Sequence, residues 1–207
     1  IEEDFLSSWK KVPTYLDPDN VPRMGKFNNQ FINHLKKVSQ DMGIFNLHLP
    51  TKYGGGGMGT LGAVVINEEI HRSLVHLPLS QCANLLIEYA NPKQTQQYTI
   101  PTIEGQKSSS LYQALPAPDF NLNKPPKLTA TRDGSDWVIN GVIPYMGNID
   151  NADYIIIEAI TDKTKNQESG LTLFILDIDT SGMTIDPIET WLTTPHNTYY
   201  IILSLIH

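Results

Sequence analysis

Only one cysteine, Cys82, occurs in 207 residues. An intrachain disulfide is excluded, and a reducing compartment is expected. Basic residues are also in short supply. There are 15 Lys and Arg against 22 Asp and Glu, for a net charge of −7. A nucleic-acid partner, which needs a basic face, is not expected. No stretch is apolar for the length of a bilayer crossing, so no membrane partner is expected either. The first residues, Ile1-Glu2-Glu3-Asp4, are too acidic for a secretory signal or an Arg-rich transit peptide. His34, His48, His71, His76, His196 and His207 include no pair at helical ligand spacing and read as surface or structural side chains, so no metal is expected. A Gly-x-Ser-x-Gly elbow is missing as well. Cys82 lies among Leu79, Leu85 and Leu86 and reads as a small buried hydrophobe rather than a nucleophile.

What is present is a soluble-type composition, 40% hydrophobic and 18% charged, in a chain able to bury roughly 70% of its unfolded surface. The most distinctive stretch is Pro50-Thr51-Lys52-Tyr53-Gly54-Gly55-Gly56-Gly57. Consecutive glycines are costly to order, so they belong where the chain turns tightly, adopts positive φ or approaches other backbone closely. Gly54-x-Gly56-x-x-Gly59 formally matches a dinucleotide fingerprint, but no hydrophobic strand precedes it, and no Gly-Lys-Ser/Thr follows for a phosphate loop. The run reads as a turn between helices.

The first half has helical period. Phe27, Phe31, Leu35, Val38 and Met42 share one face, and Gly43 is placed to cap that helix. A second helix is expected from an N-cap at Thr60 to about Leu74, with Glu68 and Arg72 as a surface pair. Glu68-Glu69 reads as a solvated face rather than a catalytic carboxylate pair. A third helix is expected over Leu79 to Tyr89. A fourth opens at Asn91-Pro92 and should end before Pro101 and Gly105. Beyond Gly105 the period changes to that of strands. Lys127–Arg132 and Trp137–Asn140 flank Asp133-Gly134, a hairpin signal. Tyr154–Ile160, Leu171–Asp177, Met183–Ile188 and Tyr199–Leu205 read as further strands, with a polar loop over Asp162–Ser169. Pro144 removes a ladder donor and predicts irregular pairing there. Ile201, Ile202, Leu203, Leu205 and Ile206 are an association liability if left uncovered. The reading is α+β: a helical N-terminal domain over 1–107 and a β-barrel domain over 108–207, joined near Ser108-Ser109-Ser110.

Pro50-x-x-Tyr53-Gly54-Gly55-x-Gly57 resembles a signature of the acyl-CoA dehydrogenase family. Further segments resemble that family in the same order. They are Gly43-Ile44 through Leu47, Glu68-Glu69-Ile70, Gln94 with Ile100-Pro101 and Ile103, Thr129-Ala130 with Asp133-Gly134, Trp137-Val138-Ile139-Asn140-Gly141, Ala152-Asp153 and Gly170-Leu171 through Leu176. The resemblance implies an N-terminal helical domain followed by an antiparallel β-barrel. It also implies that the C-terminal helical bundle, which carries the family's catalytic glutamate, lies outside these residues. No catalytic residue is therefore assigned.

The implied cofactor is FAD and the implied substrate an acyl-CoA, which the family desaturates at the α,β bond. The residues matching the flavin strands are Gln113, Ala114 and Leu115 on one side and Tyr145, Met146 and Gly147 on the other. Tyr145 would offer its ring to the isoalloxazine, and backbone groups at Gln113 and Ala114 would bond its polar edge. Two departures stand out. Ala114-Leu115-Pro116 occupies the place of Thr-Glu-Pro, and Ile143-Pro144-Tyr145-Met146-Gly147 that of Lys-x-Trp-Ile-Thr. A catalytically degenerate scaffold subunit and a flavin monooxygenase on the same scaffold are the alternative readings. A homo- or hetero-oligomer in the cytoplasm, or in the mitochondrial matrix of a eukaryote, is the expected setting.

Overall fold

The computed structural model describes residues 29–72, 77–112, 128–162, 164–165, 170–188 and 198–206. They fall into two units that meet in sequence between Ser108 and Ser109.

In the first unit, helix α1 (Asn29–Asp41) buries Leu35 and Ser39. It stops where expected, at Gly43, whose φ of 70° lets the Ile44 N–H turn back to the Ser39 carbonyl at 2.9 Å. Met42 lies past the last helical residue and is exposed. The glycine run then does all three things consecutive glycines allow. Gly54 and Gly57 have φ of 76° and 70°. The run folds back along the preceding segment, with Gly56 N–H on Asn46 O (3.2 Å), Gly57 N–H on Leu49 O (2.8 Å) and Met58 N–H on Leu47 O (3.1 Å). A side chain at Gly55 would collide with the Leu49 backbone, and one at Gly56 would lie 2.9 Å from Leu47 O.

Helix α2 (Gly59–Ile70) begins with Met58 at the N-cap position, not Thr60, which lies inside the helix. The preceding glycine turn already fixes the entry, so no side-chain cap is used. Arg72 pairs with Glu69 at 3.2 Å more closely than with Glu68 at 4.0 Å; all three are exposed, and such pairs contribute little. The third helix, α3 (Ala83–Tyr89), starts later than its apolar pattern suggests. Cys82 precedes it at φ 62° and is half-buried rather than enclosed.

At Asn91 a capping box forms as the sequence indicates, with Gln94 N–H on Asn91 Oδ1 (2.9 Å) and Asn91 N–H on Gln94 Oε1 (3.0 Å). The helical path does not end before Pro101. It runs through α4 (Pro92–Gln94), a π-helical turn (Thr95–Thr99) and α5 (Ile100–Ile103). The wide turn, with Ile100 N–H on Thr95 O, shifts the bonding frame just ahead of Pro101, where a regular helix would suffer the ring clash.

The second unit is a curled sheet of β1 (Ser109–Tyr112), β2 (Thr129–Asp133), β3 (Asp136–Gly147), β4 (Tyr154–Ile160), β5 (Leu171–Asp177), β6 (Met183–Ile188) and β7 (Thr198–Ile206). The order is β1-β4-β2-β3-β7-β6, with β5 on the other side of β4. Most neighbours are antiparallel, as expected, but β1 runs parallel to β4, and so does the Thr129–Ile160 contact. Ser109 and Ser110 are therefore not linker: they are a buried strand paired with Tyr154 and Ile155. The β2–β3 turn closes on Asp133–Asp136 with positive φ at Gly134, the first of its two loop residues. β4 is buried on both faces, and Ile155 and Ile157 are fully enclosed with Ile139, Ile143 and Ile201. Each such side chain contributes about 1.5–3 kcal/mol. β7 alternates, so Ile201 and Leu203 are core and only Ile202 among the described side chains of that apolar run is exposed. Two of the five residues of the expected association liability, Ile201 and Leu203, are thus covered within the unit; the side chains of Leu205 and Ile206 lie outside the described residues.

Candidate functional site

Three of the six positions that the resemblance marks for a flavin, Tyr145, Met146 and Gly147, lie at the end of β3, where the geometry follows from one residue too many. Ile143 pairs with Ile201, yet Met146 pairs with Tyr199, so Pro144 and Tyr145 together oppose Tyr200. This is a one-residue bulge, at the position where Pro144 cannot donate to the ladder. The bulge resets the side-chain alternation. Ile143 and Met146, three apart, both point into the core, at 0% and 3% exposure, while Tyr145 is 60% exposed. An aromatic side chain that regular pleating would turn inward stands outside. Immediately after it, Gly147 faces open space: a Cβ built there meets nothing within 4 Å. Asn148 follows at φ 62° and turns the chain into the short helix Ile149–Asn151.

Ser110 on β1 donates to the Gly147 carbonyl at 2.6 Å, tying the end of β3 to the strand that leads toward Gln113. Gln113, Ala114 and Leu115 themselves lie outside the described residues. Of the six sequence-indicated positions, Tyr145 and Gly147 are accessible, whereas Met146 is core and holds the strand rather than facing a ligand. The sequence reading missed Ser110. Its signal was a hydroxyl on a segment taken for linker.

Three titratable side chains among the described residues are perturbed, one of them the exposed Asp162, which hydrogen bonds from Thr164 hold below the usual carboxylate range. Tyr112 on β1 is half-buried, and burial first, then the charge of Glu158, holds its phenol above the usual range. His48, in the segment beneath the glycine run, is pushed below the ordinary histidine value by burial, against a hydrogen bond with the Ser80 backbone. Its Nδ1 is buried without a partner. Among the described residues no group of three or more His, Cys, Asp or Glu stands where a metal could be held, and no helix is long and apolar enough to cross a membrane.

An isoalloxazine needs a flat surface for its ring and backbone that it can approach. The exposed Tyr145 ring and the open Gly147 backbone fit that requirement.

Residues 12–106 match the model of the acyl-CoA dehydrogenase N-terminal domain. The chain is similar to the acyl-CoA dehydrogenase FadE12 of Mycobacterium tuberculosis, 27% identical over 78% of this chain and 43% of that protein. It is also similar to the (R)-benzylsuccinyl-CoA dehydrogenase of Thauera aromatica, 29% identical over 73% of this chain and 39% of that one. Among solved structures, a glutaryl-coenzyme A dehydrogenase in complex with glutaryl-CoA superposes with a TM-score of 0.68 at 23% identity, over 86% of this chain and 48% of that chain. A steroid acyl-CoA dehydrogenase, Tcur3481-Tcur3483, gives 0.70 at 23% identity, over 86% and 46%. The chain thus spans less than half the length of these relatives. The helical unit, the curled β unit that follows it and the ordered run of shared segments agree: residues 12–106 match the N-terminal domain of the acyl-CoA dehydrogenase family, and the chain resembles members of that family over most of its length.

Proposed function

We propose that this protein binds FAD at the end of β3 and takes part in the α,β-desaturation of an acyl-CoA thioester. The observation that carries the reading is Tyr145, an aromatic ring set outside the core by a bulge, next to open backbone at Gly147. When bound, FAD supplies the hydride-accepting ring. Tyr145 would pack against the face of that ring and keep water from it, while Gln113 and Ala114 would offer backbone groups to its polar edge, with Leu115 beside them in the same matched segment. Met146 anchors Tyr145 and Gly147 by filling the core beneath them. None of the 207 residues is assigned as the α-proton base. In this reading the protein works in the cytoplasm or the mitochondrial matrix, in a homo- or hetero-oligomer.

A second reading has a specific observation behind it. Ala114-Leu115-Pro116 lacks the threonine hydroxyl of the family's flavin strand, and one lost hydrogen bond to a cofactor costs about 1 kcal/mol. A degenerate homologue serving as a binding or scaffold subunit would tolerate that loss.

The absorbance of the full-length natural protein separates the two. A yellow protein that bleaches anaerobically when acyl-CoA is added is the expected result. A colourless protein that cannot be loaded with FAD would establish the degenerate subunit instead.

A further inference from the structure

The end of β3 has an unusual mechanical situation. At Pro144 the strand carries no N–H, and at the bulge its pairing with β7 is interrupted between Ile143 and Met146. A strand end loosened in this way would ordinarily fray, and an aromatic ring on it would sample many positions. Here the end is held from the opposite direction. β1 and β3 share no ladder pairing, although β1 lies along the same edge of β4 that β2 meets at Ile160, with β5 on the opposite edge. The Ser110 hydroxyl nevertheless reaches across to Gly147 O at 2.6 Å. Ser110 is 4% exposed, so water competes poorly for that bond. The backbone of Ser110 is in turn fixed by the parallel ladder, in register with Ile155, which is fully buried.

We infer that Ser110 is a positioning residue: its hydroxyl locks the loosened end of β3 against β1, so that the Tyr145 ring is held in place before any ligand arrives. The inference rests on the reading of Tyr145 as a flavin platform and deepens it. Preorganisation of this kind raises affinity because the cost of ordering the strand end is met in folding rather than in binding. Ser110 touches the Gly147 carbonyl and not the ligand, so its effect must pass through the strand that carries Tyr145.

FAD titration of the full-length natural protein, read by flavin fluorescence, tests this with Ser110→Ala, Tyr145→Ala and the double variant. Ser110→Ala is expected to weaken FAD about fivefold, the equivalent of one ordinary hydrogen bond. In the Tyr145→Ala background the same change is expected to cost less than about twofold, because the ring to be positioned is gone. Ser110→Thr, which keeps the hydroxyl, should recover the affinity. Equal losses in both backgrounds, or no loss in either, would overturn the positioning role. Hydrogen exchange on the unaltered protein gives an answer even if Ser110→Ala does not fold. The amides of 145–148 should be protected before FAD is added; protection that arises only with FAD contradicts the proposal. Should the unaltered protein take up no FAD at all, the functional reading fails and this inference fails with it. FAD uptake with additive losses defeats the inference alone.

Discussion

Gly55→Ala is the most demanding test of how the glycine run is built. Gly55 does not need positive φ; it needs the absence of a Cβ. An added Cβ would sit against Leu49 O, Leu49 C and Leu49 Cβ, backbone and core that cannot step aside. Leu49 is 0% exposed, and its carbonyl already accepts the Gly57 N–H at 2.8 Å. To admit the methyl group, the run must lift from the 46–50 segment. The Gly56–Asn46 and Gly57–Leu49 bonds then weaken, at about 1 kcal/mol each, and further strain of about 1–3 kcal/mol comes from overpacking. A loss of about 3–5 kcal/mol is expected, or a Tm lower by about 6–20 °C in a chain of this size. Gly54→Ala is the control. Gly54 has φ 76° but nothing within 4 Å, so it should lose only the left-handed preference of glycine, about 1 kcal/mol. Thermal and urea unfolding followed by circular dichroism measure both. If Gly55→Ala proves no more damaging than Gly54→Ala, the close approach is not what the glycines serve, and the reasoning fails.

Other expectations follow from single features. His48 has its folded pKa depressed by burial, so the unfolded chain binds the proton more readily. Its contribution is complete above about pH 6.5 and is lost as the pH falls from there through the folded value; His48→Gln should flatten that part of the unfolding free energy against pH. Asn91→Ala removes half of the capping box and should cost about 1 kcal/mol, measured by urea unfolding. Ile157→Ala, at a fully buried position of β4, should cost about 2–5 kcal/mol in the same assay, and a loss below 1 kcal/mol would mean that β4 is not the centre of the core.

Strand positions were the most legible part of the sequence. Leu171–Asp177 and Met183–Ile188 fold as strands over the residues their pattern marks out, because turn residues bracket each β-rich run and the pairings are antiparallel between near neighbours. β1 was not legible. Its Ser-Ser start carries no apolar signal, and its partner, β4, lies more than 40 positions along the chain; parallel pairing at that distance leaves no local mark. The start of α3 was hidden for another reason: Leu79 is apolar, but its neighbour Ser80 donates through both N–H and hydroxyl to Phe45 O, which holds the segment out of the helix. Pro101 misled because a wide helical turn can absorb a proline that a regular helix cannot. At the site, Pro144 announced the irregularity correctly, since a missing donor is a local fact. That the irregularity exposes Tyr145 while burying Met146 depends on which face of β3 meets the core, and only the fold reveals that.

FAD binding is the measurement closest to the central claim. The full-length natural protein, titrated with FAD and followed by flavin fluorescence, should bind saturably with one FAD per chain, and Tyr145→Ala should weaken that binding about tenfold. Absence of saturable binding, or binding indifferent to Tyr145, would contradict the claim that the end of β3 is a flavin site.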